Sequence, residues 1–209
     1  RRMRRAEPNR AHYALAELEQ LGAVSGVITQ NVDGLHARAG SSNLLALHGD
    51  LSRIVCLDCG RDEGRESLDA RLDAANPGYL DRLEGRDLRV NPDGDVELDD
   101  RYIRDFQMVP CLNCGSTRLK PDVVYFGESV PAERKARKDA MLAECSALLV
   151  VGSSVAVMSS YKIVLEALRA GKPVAVINGG PGRADAKATY LWRSGVGEAL
   201  ELMLDAVDV

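Results

Sequence analysis

Apolar residues recur along this chain at two spacings, and the alternation between them sets the first expectation about its fold. Residues 10 to 22 carry Ala11, Ala14, Leu15, Leu18 and Leu21 at helical intervals, and Gly22 follows where a left-handed cap would end a helix. VSGVIT (24–29) then reads as a strand. Further on, helical MLAECSA gives way to a strand at LLVVG (148–152), a helix at YKIVLEALRAG (161–171) and a strand at PVAVI (173–177). The last helical stretch is VGEALELMLDAV, with Leu200, Met203, Leu204 and Val207 along one side, a stripe that belongs in a core. Short apolar strands alternating with amphipathic helices predict an α/β fold built on a doubly wound parallel sheet.

The middle of the chain breaks this rhythm. Residues 60 to 110 are rich in Asp, Arg, Gly and Pro, including NPDGD (91–95), and apart from a short helix expected at 66–75 they show no sustained periodicity. So long an irregular stretch needs something other than a core to hold it. Two cysteine pairs flank it, CLDC (56–59) and CLNC (111–114). Thiolates two residues apart can turn toward one ion through a tight knuckle, and Gly60 and Gly115, one after each pair, favour such turns. Cys56, Cys59, Cys111 and Cys114 therefore predict one zinc ion, structural because four thiolates leave no open position. The expected division is a main domain of residues 1–48 and 120–209 and an inserted zinc-binding module of 49–119. Cys145, alone before a strand, reads as a small buried apolar residue.

Composition narrows the class. The chain has 209 residues, of which 45% are hydrophobic, enough for one sizeable core and a small accessory module. No run approaches the ~20 apolar residues of a membrane span, and no signal-peptide pattern follows the basic RRMRR at 1–5, so a soluble, cytoplasmic protein is the expectation. A net charge of -4 and an aromatic content of 4% disfavour a nucleic-acid surface, including a zinc-ribbon binder, and RRMRR reads as a solvated end.

Chemistry collects where the strands end. TQNVDGLHARAG (29–40) puts Gln30, Asn31 and Asp33 directly after one strand; Gly152, Ser153 and Ser154 follow another; and INGG (177–180) follows a third. In open α/β sheets ligands sit outside the carboxyl ends of the strands, and backbone N–H groups, hydroxyls and amides there suit phosphate, ribose or amide groups. KPDVVYFGE (120–128) reads as an extended stretch with Val124 and Phe126 on one face.

These segments, TQNVDGLHARAG, LHG (47–49), the paired cysteines, KPDVVYFGE, VVGSS and ING in that order, resemble the sirtuins, NAD-dependent protein-lysine deacylases. EPNRAH, VGSSVAVMSSY and GPGRAD are most similar to the class II branch. The resemblance covers nearly the whole chain and implies a Rossmann-like domain with a small zinc module, NAD as cofactor and acylated-lysine proteins as substrates. It implies that His48 is the catalytic base that helps deprotonate a ribose hydroxyl as the acyl group is transferred and nicotinamide leaves. Gln30, Asn31, Val32 and Asp33 would hold the nicotinamide and its ribose, and Gly152, Ser153 and Ser154 the adenosine side. Asn178, Gly179 and Gly180 would form a ribose-binding strand end, and the backbone of Val196 would meet the adenine. Val123, Val124, Phe126 and Gly127 would bind the acyl-lysine peptide by main-chain pairing. His36 is expected to pack or hydrogen-bond, and His12 to be partly exposed.

The chain departs from the family at one point: no Gly-Ala-Gly-x-Ser phosphate loop and no Ile-Pro-Asp-Phe-Arg-type loop occur in it. That loop follows the central strand of a doubly wound sheet, so the expectation is weak NAD binding, little turnover and neighbouring strands with unpaired edges. A catalytically silent zinc-stabilised module that binds nucleotides or partners, and a protein ADP-ribosyltransferase, are the competing readings. Acyl-chain preference is not legible.

Overall fold

The computed structural model describes residues 6–83 and 100–207, so RRMRR and NPDGD lie outside the described residues. The chain divides into two compact units, residues 1–50 with 124–209, and residues 51–123.

The first unit is α/β. Helix α1 (Arg10–Gln20) starts at Asn9, whose side chain accepts from the Ala11 and His12 N–H groups, while His12 Nδ1 faces the Asn9 N–H in return. It stops at Leu21 and turns through Gly22 at φ 76°, as the sequence predicts. Strand β1 (Val27–Thr29) pairs in parallel with β2 (Leu44–Ala46), joined through the short α2 (Leu35–Arg38). A second parallel group has the order β6 (Leu148–Val151), β7 (Val174–Ile177), β8 (Tyr190–Trp192). Helices α5 (Ala132–Glu144), α6 (Met158–Arg169) and α7 (Val196–Val207) complete the unit.

Two cores hold it. Val174, Val176, Val164 and Ala167 are almost wholly buried where α6 covers the second parallel group, and α1 meets α7 through Ala14, Leu15, Leu18 and Leu200. α5 begins well before the expected MLAECSA. Its face contains Lys138, a buried ammonium paired with Glu166 of α6 and with Asp139, so an essential packing position looks polar in the sequence. Strand β8 was not anticipated either, since all three of its residues are exposed.

Among the described residues, β1 pairs only with β2, and β6 only with β7. A cavity of about 690 Å3 lies against both of these strands, lined by Val27, Ile28 and Thr29 on one side and Leu148 to Val151 on the other.

The second unit contains the three-stranded sheet β4 (Asp62–Gly64), β3 (Gly49–Cys56), β5 (Leu119–Val123), with β3 and β4 antiparallel, and β3 enters it from the first unit. Helix α3 (Arg65–Ala75), expected at 66–75, buries Leu68 against Ile54 and Val109; the short α4 spans Asp100–Arg104. Asn76 closes α3 by bonding the backbone of Leu72 and Gln107, which fixes the returning chain. Because β5 pairs beside β3, residues 120–123 belong with this unit, whereas the sequence reading placed them in the main domain. No helix among the described residues is long and apolar enough to cross a membrane.

Replacing the fully buried Leu200 by Ala is expected to cost about 2–5 kcal/mol, while Leu202→Ala, on the exposed side of the same helix, should stay within ~0.5 kcal/mol. Urea unfolding of both variants checks this; equal costs would reject the α1–α7 interface as a core.

Candidate functional site

The sequence-predicted cluster begins where β1 ends. Asn31 N–H bonds the Thr29 hydroxyl at 3.1 Å, and Asp33 Oδ1 accepts from Leu35 N–H at 3.0 Å, with Gly34 at φ 71° between them. Part of Asp33 is therefore engaged in opening α2. Asn31 is exposed, Gln30, Val32 and Asp33 half-buried.

His48 sits in the turn between β2 and β3, half-buried. Its Nε2 lies 3.0 Å from the Ser159 hydroxyl, at the start of α6, and its backbone carbonyl accepts from Val124 N–H at 2.8 Å. Burial lowers its pKa below the ordinary imidazole value; the Gln30 backbone carbonyl opposes this, and the Arg134 charge adds to it. The imidazole is thus held neutral at pH 7, the form that accepts a proton. Ser159 was not anticipated: in VGSSVAVMSSY nothing separates it from its neighbours until helix α6 aims it.

At the end of β6, Gly152 takes φ 59°, its N–H bonds the Ile177 carbonyl at 2.9 Å, and a side chain there would press on Val196. Ser153 Oγ donates to Gln30 Oε1 at 3.4 Å and accepts from Val155 N–H at 3.1 Å. That second bond supports Val155, a buried β-branched residue at φ 44°, a conformation that persists only when its surroundings impose it. The end of β7 carries Asn178, whose side chain bonds the Gly180 carbonyl at 2.9 Å, and the exposed Gly179 and Gly180. Hydrogen bonds thus join Gln30, His48, Ser153 and Ser159, while Val196 lies against Gly152, and Asn178 follows Ile177, whose carbonyl the Gly152 N–H bonds.

The stretch expected to bind peptide is arranged differently from that reading. β5 stops at Val123, Val124 leaves it to bond His48, and residues 125–128 form a turn in which Glu128 and Tyr125 bond each other's backbone N–H groups. Gly127 takes φ 88°, and Phe126 projects fully into solvent rather than sharing a strand face with Val124. Of the two roles expected for His36, the structure shows packing: its ring lies 4.6 Å from that of His12, and its buried Nδ1 has no partner among the described residues. Burial lowers the pKa of both. Cys145 is half-buried, its thiol directed at the Leu142 carbonyl at 3.3 Å.

In the second unit the four sulfurs of Cys56, Cys59, Cys111 and Cys114 all lie within 4.8 Å of one another. Cys56 and Cys114 are 3.6 Å apart and Cys59 and Cys111 3.7 Å, close to the ~3.8 Å that tetrahedral coordination at ~2.3 Å requires. Each knuckle repeats one geometry: Gly60 N–H bonds Cys56 O and Gly115 N–H bonds Cys111 O, both at 3.0 Å, with the glycines at φ 71° and 76°. The Arg61 N–H holds the Cys59 thiol down at about 6, whereas Cys114, despite the Ser116 N–H, is pushed up to about 12 by the neighbouring sulfurs. Four thiolates gather here only around a cation, and the donor set fits zinc.

A family model described as Sir2 family matches residues 1–159. The chain belongs to the Sir2 family. A similar relative is NAD-dependent protein deacetylase 1 of Corynebacterium efficiens, 62% identical over 204 residues, which are 98% of this chain and 73% of that protein. NAD-dependent protein deacetylase 1 of Streptomyces coelicolor is 45% identical over 96% of this chain and 66% of its own length. The human mitochondrial NAD-dependent protein lipoamidase sirtuin-4 is 42% identical over 94% of this chain and 61% of its own. The Sir2-family chain thus spans about six to seven tenths of these relatives. Among solved structures, one of Sir2 bound to acetylated peptide superimposes with a TM-score of 0.73 at 27% identity, covering 98% of this chain and 73% of that one. The Rossmann-like α/β reading of this Sir2-family chain stands on that likeness as well as on its own sheets.

The cysteine cluster is expected to bind one zinc per chain. Cys111→Ser, or a strong chelator, should release the ion and unfold residues 51–123, read as loss of zinc by elemental analysis and as rapid proteolysis there. Full zinc content in Cys111→Ser would refute the four-thiolate site.

Proposed function

We propose that this chain carries the chemistry of an NAD-dependent protein-lysine deacylase, releasing nicotinamide and passing the acyl group to ADP-ribose. The observation that carries the reading is His48: a neutral imidazole, one edge toward the Gln30 carbonyl and the other 3.0 Å from Ser159, inside the strand-end cluster that Gln30 and Ser153 share. Relatives named as NAD-dependent deacetylases and a lipoamidase, and a solved relative with acetylated peptide, support it.

The polar and small residues fit the amide and ribose ends of a dinucleotide. Gln30, Asn31, Val32 and Asp33 would lie on the nicotinamide side, and Gly152, Ser153, Ser154, Asn178, Gly179, Gly180 and Val196 on the adenosine side. Among the described residues no glycine-rich phosphate cradle accompanies them. NAD, when bound, supplies the nicotinamide leaving group and the ribose hydroxyl that accepts the acyl group. His48 takes the proton of that hydroxyl, and Ser159 and the Gln30 carbonyl keep its ring from rotating. Val124, bonded to the backbone of His48, ties the stretch containing Val123, Val124, Phe126 and Gly127 to the base, so that an acylated lysine held along it would meet that base. A cluster of four thiols without disulfides fits a reducing compartment, and the cytoplasm is our reading of location.

Nicotinamide release from NAD with an acetyl-lysine peptide tests this. His48→Ala should lower the rate ~100-fold or more. Because the folded pKa of His48 is depressed, the base stays unprotonated at neutral pH, and the rate should fall only as pH drops through a midpoint below 6.5. NAD binding without release would favour a silent nucleotide-binding module, and an unaffected His48→Ala variant would remove His48 from the reaction.

A further inference from the structure

We infer that Asp185 and Arg193 are positioning residues for the nucleotide side of the site, forming a buckle that fixes the loops after β6 and β7 relative to each other. The proposal rests on the functional reading above insofar as it takes those loops to meet a nucleotide.

The buckle is the GPGRAD segment and the residue that follows β8. Gly182 N–H donates to Asp185 Oδ2 at 2.7 Å, and the Arg193 guanidinium pairs with the same carboxylate oxygen. Arg193 also donates to the carbonyls of Asn178, at 3.3 Å, and Gly180, the latter shared with the Asn178 side chain. One guanidinium therefore determines the path of residues 178–180. In the other direction, Arg183 N–H donates to the Ser154 carbonyl at 2.8 Å, and its guanidinium reaches the Ala156 carbonyl at 3.3 Å while lying 4.3 Å over the Tyr161 ring. Residues 154–156 contain the strained Val155. A methyl group on Gly182 would come within 3.2 Å of Asp185 Oδ1 and 3.3 Å of the Ser154 carbonyl, so the two loops are drawn together as closely as a glycine allows.

Asp185 Oδ2 takes both bonds of the buckle, while its buried Oδ1 has no hydrogen-bond partner among the described residues. The Gly182 N–H and then Arg193 hold its carboxyl below the usual carboxylate range, so it stays charged, and both bonds are made within the buckle. Arg193 presents a planar fork that a lysine cannot reproduce. The groups left facing outward are Ser154, Gly179 and Gly180, all exposed. Long-range polar ties of this kind hold binding groups in place without touching the ligand.

The experiment is NAD titration of the full chain and of Asp185→Asn, Arg193→Gln, Arg193→Lys and the Asp185→Asn/Arg193→Gln double variant, with thermal midpoints and acetyl-lysine peptide affinity measured in parallel. Each single change should weaken NAD about tenfold, the scale of one charge-assisted hydrogen bond. The double variant should be no weaker than the worse single, because the pair acts as a unit. Arg193→Lys should recover only part of the loss, and peptide affinity should not move. In turnover, KM for NAD should rise with kcat unchanged. Variants that bind NAD within about twofold of the unaltered protein overturn the buckle alone. A loss matched by peptide affinity and thermal midpoint also overturns it, because that is general destabilisation. Failure of the unaltered protein to bind NAD overturns the functional reading and this inference with it.

Discussion

The pairing of β6 with β7 over the apolar face of α6 is the interaction on which the rest of the first unit depends. Four residues of each strand run in parallel register, from Leu148 beside Val174 to Val151 beside Ile177, with Val174, Val176, Val164 and Ala167 sealed beneath them. Parallel pairing brings both strands to an end at the same level. Gly152 then continues the ladder by one bond to Ile177, and the chain is free to diverge into two loops, one carrying Ser153 and Ser154 and the other Asn178 to Gly180. Apolar burial sets the register, and the register sets where the polar groups emerge. That is why valines buried in the core decide the spacing of hydroxyls and amides at the site.

The fold was legible where one physical signal dominated. Helix α7 matches its expected residues because its apolar stripe is uninterrupted, and the cysteine knuckles could be read because glycine after each pair is what a left-handed turn requires. Elements were missed where burial and polarity disagree. Lys138 is buried because Glu166 neutralises it, so the first turns of α5 look like a solvated helix. Strand β8 is exposed along its length and shows no alternation to recognise. The extended reading of 120–128 holds through Val123 in β5 and fails beyond it, because Gly127 and Glu128 close a turn after Tyr125, a local bond that apolar patterning does not report.

The site divides in the same way. Residues within one motif, Gln30 to Asp33 or Gly152 to Ser154, could be named because a strand followed by polar and small residues has a meaning of its own. Ser159, Asp185 and Arg193 could not, because their roles come from partners distant in sequence: Ser159 from His48, Arg193 from carbonyls across the end of β7. A backbone carbonyl has no residue identity, so no sequence pattern marks a side chain that serves one.

The two parallel groups also show what a strand end needs beyond its own residues. β1 and β6 carry Gln30 and Ser153 to within 3.4 Å of each other, yet the strands themselves do not pair, and a cavity of about 690 Å3 lies against both. The side chains meet past the ends of the strands while the backbones remain apart. Connections behind the site add order at this point: the hydroxyl of Ser153 supports Val155, Arg183 holds the Ser154 carbonyl, and the Gln30 carbonyl faces His48. A single contact between exposed polar groups contributes little by itself. Linked through Val155 and the buckle at Asp185, such contacts restrain one another.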